Sequence, residues 1–141
     1  MRVLWLFFLA MVLTSEMVLA ESGLSVSNAQ LRLPLPGQTT AVVYLQLTNE
    51  SVRERRLVGV SVAGAKAAEL HQHVHADGMM RMRRLQQLNV SAGKQVDFQP
   101  GGYHIMAFRM TQPPTAGSQV PVKLIFADGQ VLQTLATAKR M

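Results

Sequence analysis

Beyond residue 20 apolar and polar residues alternate with a period of two, and helical spacing is hard to find, which predicts a chain built from strands. The clearest case is 40–48 (TAVVYLQLT), where Val43, Leu45 and Leu47 fall on one face. Shorter runs at 24–28, 57–62, 68–75, 79–85, up to Val90, 95–99, 103–110, 120–127 and 130–137 are separated by turn residues. The segment 31–37 carries Pro34 and Pro36 and is expected to be an edge segment or a loop. Asp77-Gly78 and Asp128-Gly129 each sit between extended runs, a hairpin signal because both central positions of a type I′ turn need positive φ. The pattern predicts an all-β antiparallel sandwich or barrel of about eight to nine strands, with no internal repeat and a frayed tail at 138–141.

The beginning of the chain breaks this pattern. Arg2 precedes an apolar run over 3–13, and Val18-Leu19-Ala20 offers a cleavage point before Glu21, so 1–20 reads as a cleaved secretory signal peptide. The run is too short to span a bilayer. The domain is then expected at 21–141, exported to the periplasm with no membrane span after cleavage. Its size suits one core without covalent staples. The chain has no cysteine, which excludes disulfides, thiolate ligands and lipid attachment through a cysteine in this sequence. The net charge is +6. An acidic protein partner or an anionic lipid surface fits that charge; an exported address leaves nucleic acid without a role. Tyr44 and Phe98 are read as core residues, and Arg81, Arg83 and Arg84 as a solvated outer face or a dock for an acidic partner. The sparse, scattered acidic residues form no Ser-His-Asp or paired-carboxylate set, so the protein is not expected to be an enzyme.

Composition changes the picture most in one segment. All four histidines (His71, His73, His75, His104) lie within 69–106, with Met79, Met80, Met82 and Met106, whereas no methionine occurs between Met17 and Met79. A two-residue turn at Asp77-Gly78 would set Ala76 opposite Met79, His75 opposite Met80 and His73 opposite Met82. His71, His73, His75, Met80 and Met82 then project from one face. His104 and Met106 share a face of a later strand, where Gly101-Gly102 would allow close approach. Methionine also fills cores, and short His tracts occur on surfaces; core packing does not, however, ask for five potential ligands on one hairpin face. Thioethers select Cu(I), imidazole accepts several metals, and structural zinc sites do not use Met. A blue-copper centre would need a thiolate. The residues therefore point to Cu(I), with Cu(II) as a second valence.

The spacing His71-x10-Met82-x21-His104-x-Met106 resembles the signature of the PCuAC-type periplasmic copper chaperones. Similar text surrounds it in Glu69-Leu70-His71, in 77–83 (DGMMRMR) and in 100–106 (PGGYHIM), and more loosely in Pro36-Gly37, 47–49, 56–59 and 126–129. The resemblance implies a cupredoxin-like β-sandwich that holds one Cu(I) near its surface and passes it to the copper centres of cytochrome c oxidase. It implies His71, Met82, His104 and Met106 as the ligands. The partner would be an oxidase subunit or an assembly factor, and the protein a monomer. An idealised hairpin puts His73, not His71, opposite Met82, so either a bulge shifts the register or His73 also reaches the metal. His75 stands where the family often has methionine. A copper-sequestering or resistance protein would carry the same ligands, and a copper enzyme would favour nitrogen donors and an open position.

Overall fold

Strands form wherever the period-two pattern runs uninterrupted: β1 (Leu24–Arg32), β2 (Ala41–Asn49), β3 (Arg55–Val62), β4 (Ala67–Ala76), β5 (Met79–Leu85), β6 (Leu88–Val90), β7 (Gln95–Phe98), β8 (Tyr103–Phe108), β9 (Gln119–Phe126) and β10 (Val131–Lys139). The computed structural model describes residues 23–140, so the signal peptide expected at 1–20 lies outside the described residues. Within them there is no helix, and in particular none long and apolar enough to cross a membrane.

The strands join into one ten-stranded sheet in the order β5-β4-β8-β7-β2-β1-β10-β9-β3-β6, with β2 also bonded to β8. The sheet is unclosed, with β5 and β6 at its ends. Leu45 and Leu47 of β2, Ile105 of β8, Leu57 of β3 and Leu124 and Phe126 of β9 belong to a single buried cluster. The sheet therefore folds over so that its two halves share one core, with β3 packed against β4 and β8. That is the cupredoxin-like sandwich the resemblance implied.

Five details depart from the sequence reading. Leu31 is 0% exposed and belongs to β1, a central strand rather than an edge segment or loop, because the prolines begin only after the strand has ended. A register shift between Ser27 and Gln30, with Asn28 at φ 52°, lets this strand bend through the middle of the sheet. Its pairing with β10 is parallel, so the sheet is mixed and not wholly antiparallel. That same pairing extends β10 through Ala138 and Lys139, which are strand and not frayed tail.

The other two departures are local. Tyr44 alternates out of the core and lies under the Arg32 guanidinium, 5.3 Å from ring centroid to Cζ, whereas Phe98 is buried as expected. The hairpin at Asp128-Gly129 exists, but its first ladder pair is Ile125 with Val131, a wider loop than a two-residue turn. Gly129 has positive φ and Asp128 does not; the Asp128 carboxylate instead accepts from the Gln130 backbone N–H at 3.0 Å.

Candidate metal centre

The site is built on the three strands at the β5 end of the sheet. Asp77 (φ 51°) and Gly78 (φ 73°) make the type I′ turn that the sequence called for, and the β4–β5 ladder is regular from Ala76–Met79 to Leu70–Leu85. His75 faces Met80, His73 faces Met82 and His71 faces Arg84. No bulge shifts the register, so the first of the two alternatives left open by the sequence does not apply. On the other side of β4, His71 faces His104 and Glu69 faces Met106 of β8. Alternation therefore gathers Glu69, His71, His73, His75, Met80, Met82, His104 and Met106 on one face. The opposite face carries Leu70, Ile105 and Ala107 into the core.

The rear of the site is set by a turn. The Gly102 N–H donates to the Gln99 carbonyl at 2.9 Å across Pro100-Gly101, with Gly101 at φ 82°, the pattern of Pro then Gly in a type II turn. Glycine is needed at 101 for that φ. At 102 an added Cβ would meet only ordinary contacts near 3.5 Å, so close approach is not the reason for this pair. The turn aims the Gly102 carbonyl inward, where it accepts from the His73 backbone N–H at 3.1 Å and from the His104 Nδ1–H at 3.2 Å.

Three imidazoles meet in front of it. The His104 ring centroid lies 4.9 Å from that of His73 and 5.7 Å from that of His71, and Phe108 closes one side, 6.2 Å from His71. His104 is 2% exposed. The His71 Nε2–H donates to a Glu69 carboxylate oxygen at 2.8 Å, and the other Glu69 oxygen lies 3.5 Å from Arg84. These acceptors fix the tautomers: a ring nitrogen bonded to a carbonyl or carboxylate carries the proton, so the free lone pair is at Nδ1 in His71 and at Nε2 in His104. The Nδ1 atoms of His71 and His73 are buried and have no hydrogen-bond partner. Burial pushes the His104 pKa down; the Gly102 hydrogen bond opposes this, and the neighbouring His73 and His71 add to the lowering. The hydrogen bond from His71 holds the Glu69 carboxyl below its usual range.

Of the four residues carried over by the resemblance, His71 and His104 are directly paired. Met106 is one rung outward on β8, partly buried, and Met82 is on the edge strand, 55% exposed. His75 and Met80 are exposed at the hairpin tip. Among the described residues, no group of three His, Asp or Glu side chains stands in ready-made metal geometry, so a cage here would have to draw on the thioethers or on rotation of the rings. Sequence reasoning missed Glu69 as the residue that orients His71. The available signal was its i−2 position, which places it on the same strand face; carboxylate–histidine pairs commonly fix the tautomer of a ligating imidazole.

Comparison with known proteins agrees with this architecture. The model of the LpqE-like family, described as "Putative lipoprotein LpqE-like", matches residues 24–137. The copper-bound PCuAC domain from PmoF2 superposes with a TM-score of 0.70 at 22% identity, covering 84% of this chain and 94% of that one. The solution structure of CuI-DR1885 from Deinococcus radiodurans gives 0.64 at 28% identity, covering 81% of this chain and 78% of that one. The uncharacterized protein RP573 of Rickettsia prowazekii is 26% identical over 91 residues, 64% of this chain, and the chain spans about half (50%) of the length of that curated relative. The chain thus has the fold of PCuAC domains, and it belongs to the LpqE-like family.

Proposed function

We propose that this protein is an extracytoplasmic copper carrier that binds one Cu(I) on the β4–β5–β8 face and delivers it to a partner. The ligands are His71, Met82, His104 and Met106. The observation that carries the reading is the buried, unpartnered Nδ1 of His71, beside His104 on a face lined with thioethers. Buried polar atoms are normally satisfied, and leaving the His71 lone pair unmet costs stability unless a ligand meets it. Mixed imidazole and thioether donors suit Cu(I). Two of the fold neighbours described above are copper-bound by their own descriptions, which supports the same cargo here.

Transfer follows from where the ligands sit. His71 and His104 are held by Glu69 and by the Gly102 carbonyl, whereas Met82 stands half-exposed on the sheet's end strand. A thiolate or thioether of the acceptor displaces Met82 first, and the ion leaves one ligand at a time. The thioethers have no proton to lose when they take up the metal. The acceptor implied by the family resemblance is a copper centre of cytochrome c oxidase or one of its assembly factors, met in the periplasm after export.

A Cu(I) competition titration tests this on the protein lacking residues 1–20 and on its His104→Ala/Met106→Leu variant. The expected result is one Cu(I) per chain, with affinity falling by more than about a hundredfold in the variant, since loss of outer-shell partners alone commonly costs ten- to a hundredfold. Unchanged stoichiometry and affinity would overturn the assignment. Mixing the Cu(I) form with an apo oxidase copper domain tests delivery: copper should move to the oxidase fragment, and retention by the carrier would leave a sequestering role instead.

A further inference from the structure

Two proline segments take no part in the copper reading. One follows β1 and the other lies between β8 and β9. The fold brings them together as the walls of a cleft of about 360 Å³, lined by Leu33, Pro34, Leu35, Pro36, Pro113 and Pro114, with Arg140 supplying its charge. Both walls are pinned. The Leu33 N–H donates to the Lys139 carbonyl at 2.9 Å, the Met110 N–H to the Thr39 carbonyl at 2.8 Å and the Gly117 N–H to the Ala138 carbonyl at 2.8 Å. Within the first wall the Gln38 N–H donates to the Leu35 carbonyl at 2.9 Å across Pro36-Gly37, a type II turn with Gly37 at φ 78°. The cleft is therefore formed before anything enters it, while Leu35 is left 50% exposed.

Arg140 also lines an adjoining recess of about 200 Å³, with Arg32, Lys139 and Tyr44. Arg32 and Lys139 are neighbours across the parallel β1–β10 ladder, so like charges stand side by side. Among the described residues no carboxylate pairs with Arg32, Lys139 or Arg140. An apolar cleft thus ends on three cations that lack an anion. We propose that it binds a medium-chain acyl carboxylate, with the chain between the proline walls and the carboxylate on Arg140 and Lys139, beside Arg32. An apolar pocket of several hundred Å³ with a few polar groups at one end is the ordinary form of a small-molecule site. The chain asks for no hydrogen bonds, and four prolines have no N–H to give; a peptide laid there would leave its own carbonyls unmet. Guanidinium groups meet a carboxylate with paired, charge-assisted donors. The cleft stands apart from the copper reading, since none of its residues is a proposed ligand.

The test titrates sodium octanoate into the nitrogen-15-labelled protein, with 1-octanol and sodium acetate as the chain and the head alone. Octanoate should shift the amides of 33–38 and 138–140 saturably, with a Kd on the order of 1 mM or below and about tenfold tighter than octanol. Acetate should leave 33–38 unmoved. Lys139→Gln/Arg140→Gln should weaken octanoate about tenfold and leave octanol within about twofold. Leu35→Asn, at an exposed position, should weaken both by about threefold to tenfold. Both variants should keep the wild-type Cu(I) affinity. Octanoate that does not shift 33–38 overturns the proposal, as does an equal response to acetate, which would reduce it to surface charge. Unchanged octanoate affinity in the charge variant also overturns it. Cosedimentation with phosphatidylglycerol vesicles that Leu35→Asn does not weaken and octanoate does not displace would assign the cations to a lipid surface instead.

Discussion

The molecule buries polar side chains at both ends of its sheet and treats them in opposite ways. Near the β6 end, Asn49 is 0% exposed, and its amide donates to the carbonyls of Arg53, Val90 and Ser91 while its oxygen accepts from the Ser51 N–H and hydroxyl. Arg55 beside it bonds to Asp128 at 2.7 Å and to Gln130, with its guanidinium over Phe126. At the β5 end His104 is equally buried, but two neighbouring imidazoles keep a buried nitrogen unpaired. Burial of a polar group therefore does not mark a functional site by itself. A satisfied network holds loops together; the unsatisfied ring nitrogens are what the proposed copper site rests on.

That contrast can be broken by substitutions at either end. The largest effect is expected for Met82→Leu/Met106→Leu, which should weaken Cu(I) binding by more than about a hundredfold in a competition titration while leaving the thermal midpoint nearly unchanged. The Asn49→Ala change should act the other way, costing about 2–4 kcal/mol in denaturant unfolding because it strands three carbonyls and the Ser51 donors, with Cu(I) affinity per folded molecule unaltered. For Glu69→Gln the expected loss is about tenfold in copper affinity, since the amide oxygen accepts from His71 more weakly than a carboxylate; an unchanged affinity would remove Glu69 from the site.

The smallest effect is a pH slope. Burial holds the His104 pKa below its ordinary value of 6.5 in the folded protein. As pH falls below 6.5 the unfolded chain takes up a proton that the fold refuses. The metal-free protein should therefore lose stability with acidification, starting there and ending at the folded pKa. Thermal melts between pH 7 and 5 check this, and His104→Gln should flatten the slope.

Much of this was legible in the chain itself. The period-two pattern placed the strands, Asp77-Gly78 fixed the hairpin register, and that register put His73 opposite Met82 as the structure has it. Local pattern reached as far as neighbouring strands. It did not reveal that β1 pairs in parallel with β10, because that contact joins the two ends of the domain and leaves no periodic trace. It misjudged Leu31, because Pro34 and Pro36 weighed on a segment that had already left the sheet before them. At the site, the family spacing named four residues but was silent on how the rings are held; Glu69 and the Gly102 carbonyl emerge only once β4 and β8 are side by side.

The central claim is that imidazole and thioether share the ion, and X-ray absorption at the copper edge of the Cu(I)-loaded protein measures that most directly. The account predicts a mixed first shell of nitrogen and sulfur scatterers, with the sulfur contribution lost in Met82→Leu/Met106→Leu. A shell of nitrogen alone in the wild type would contradict it.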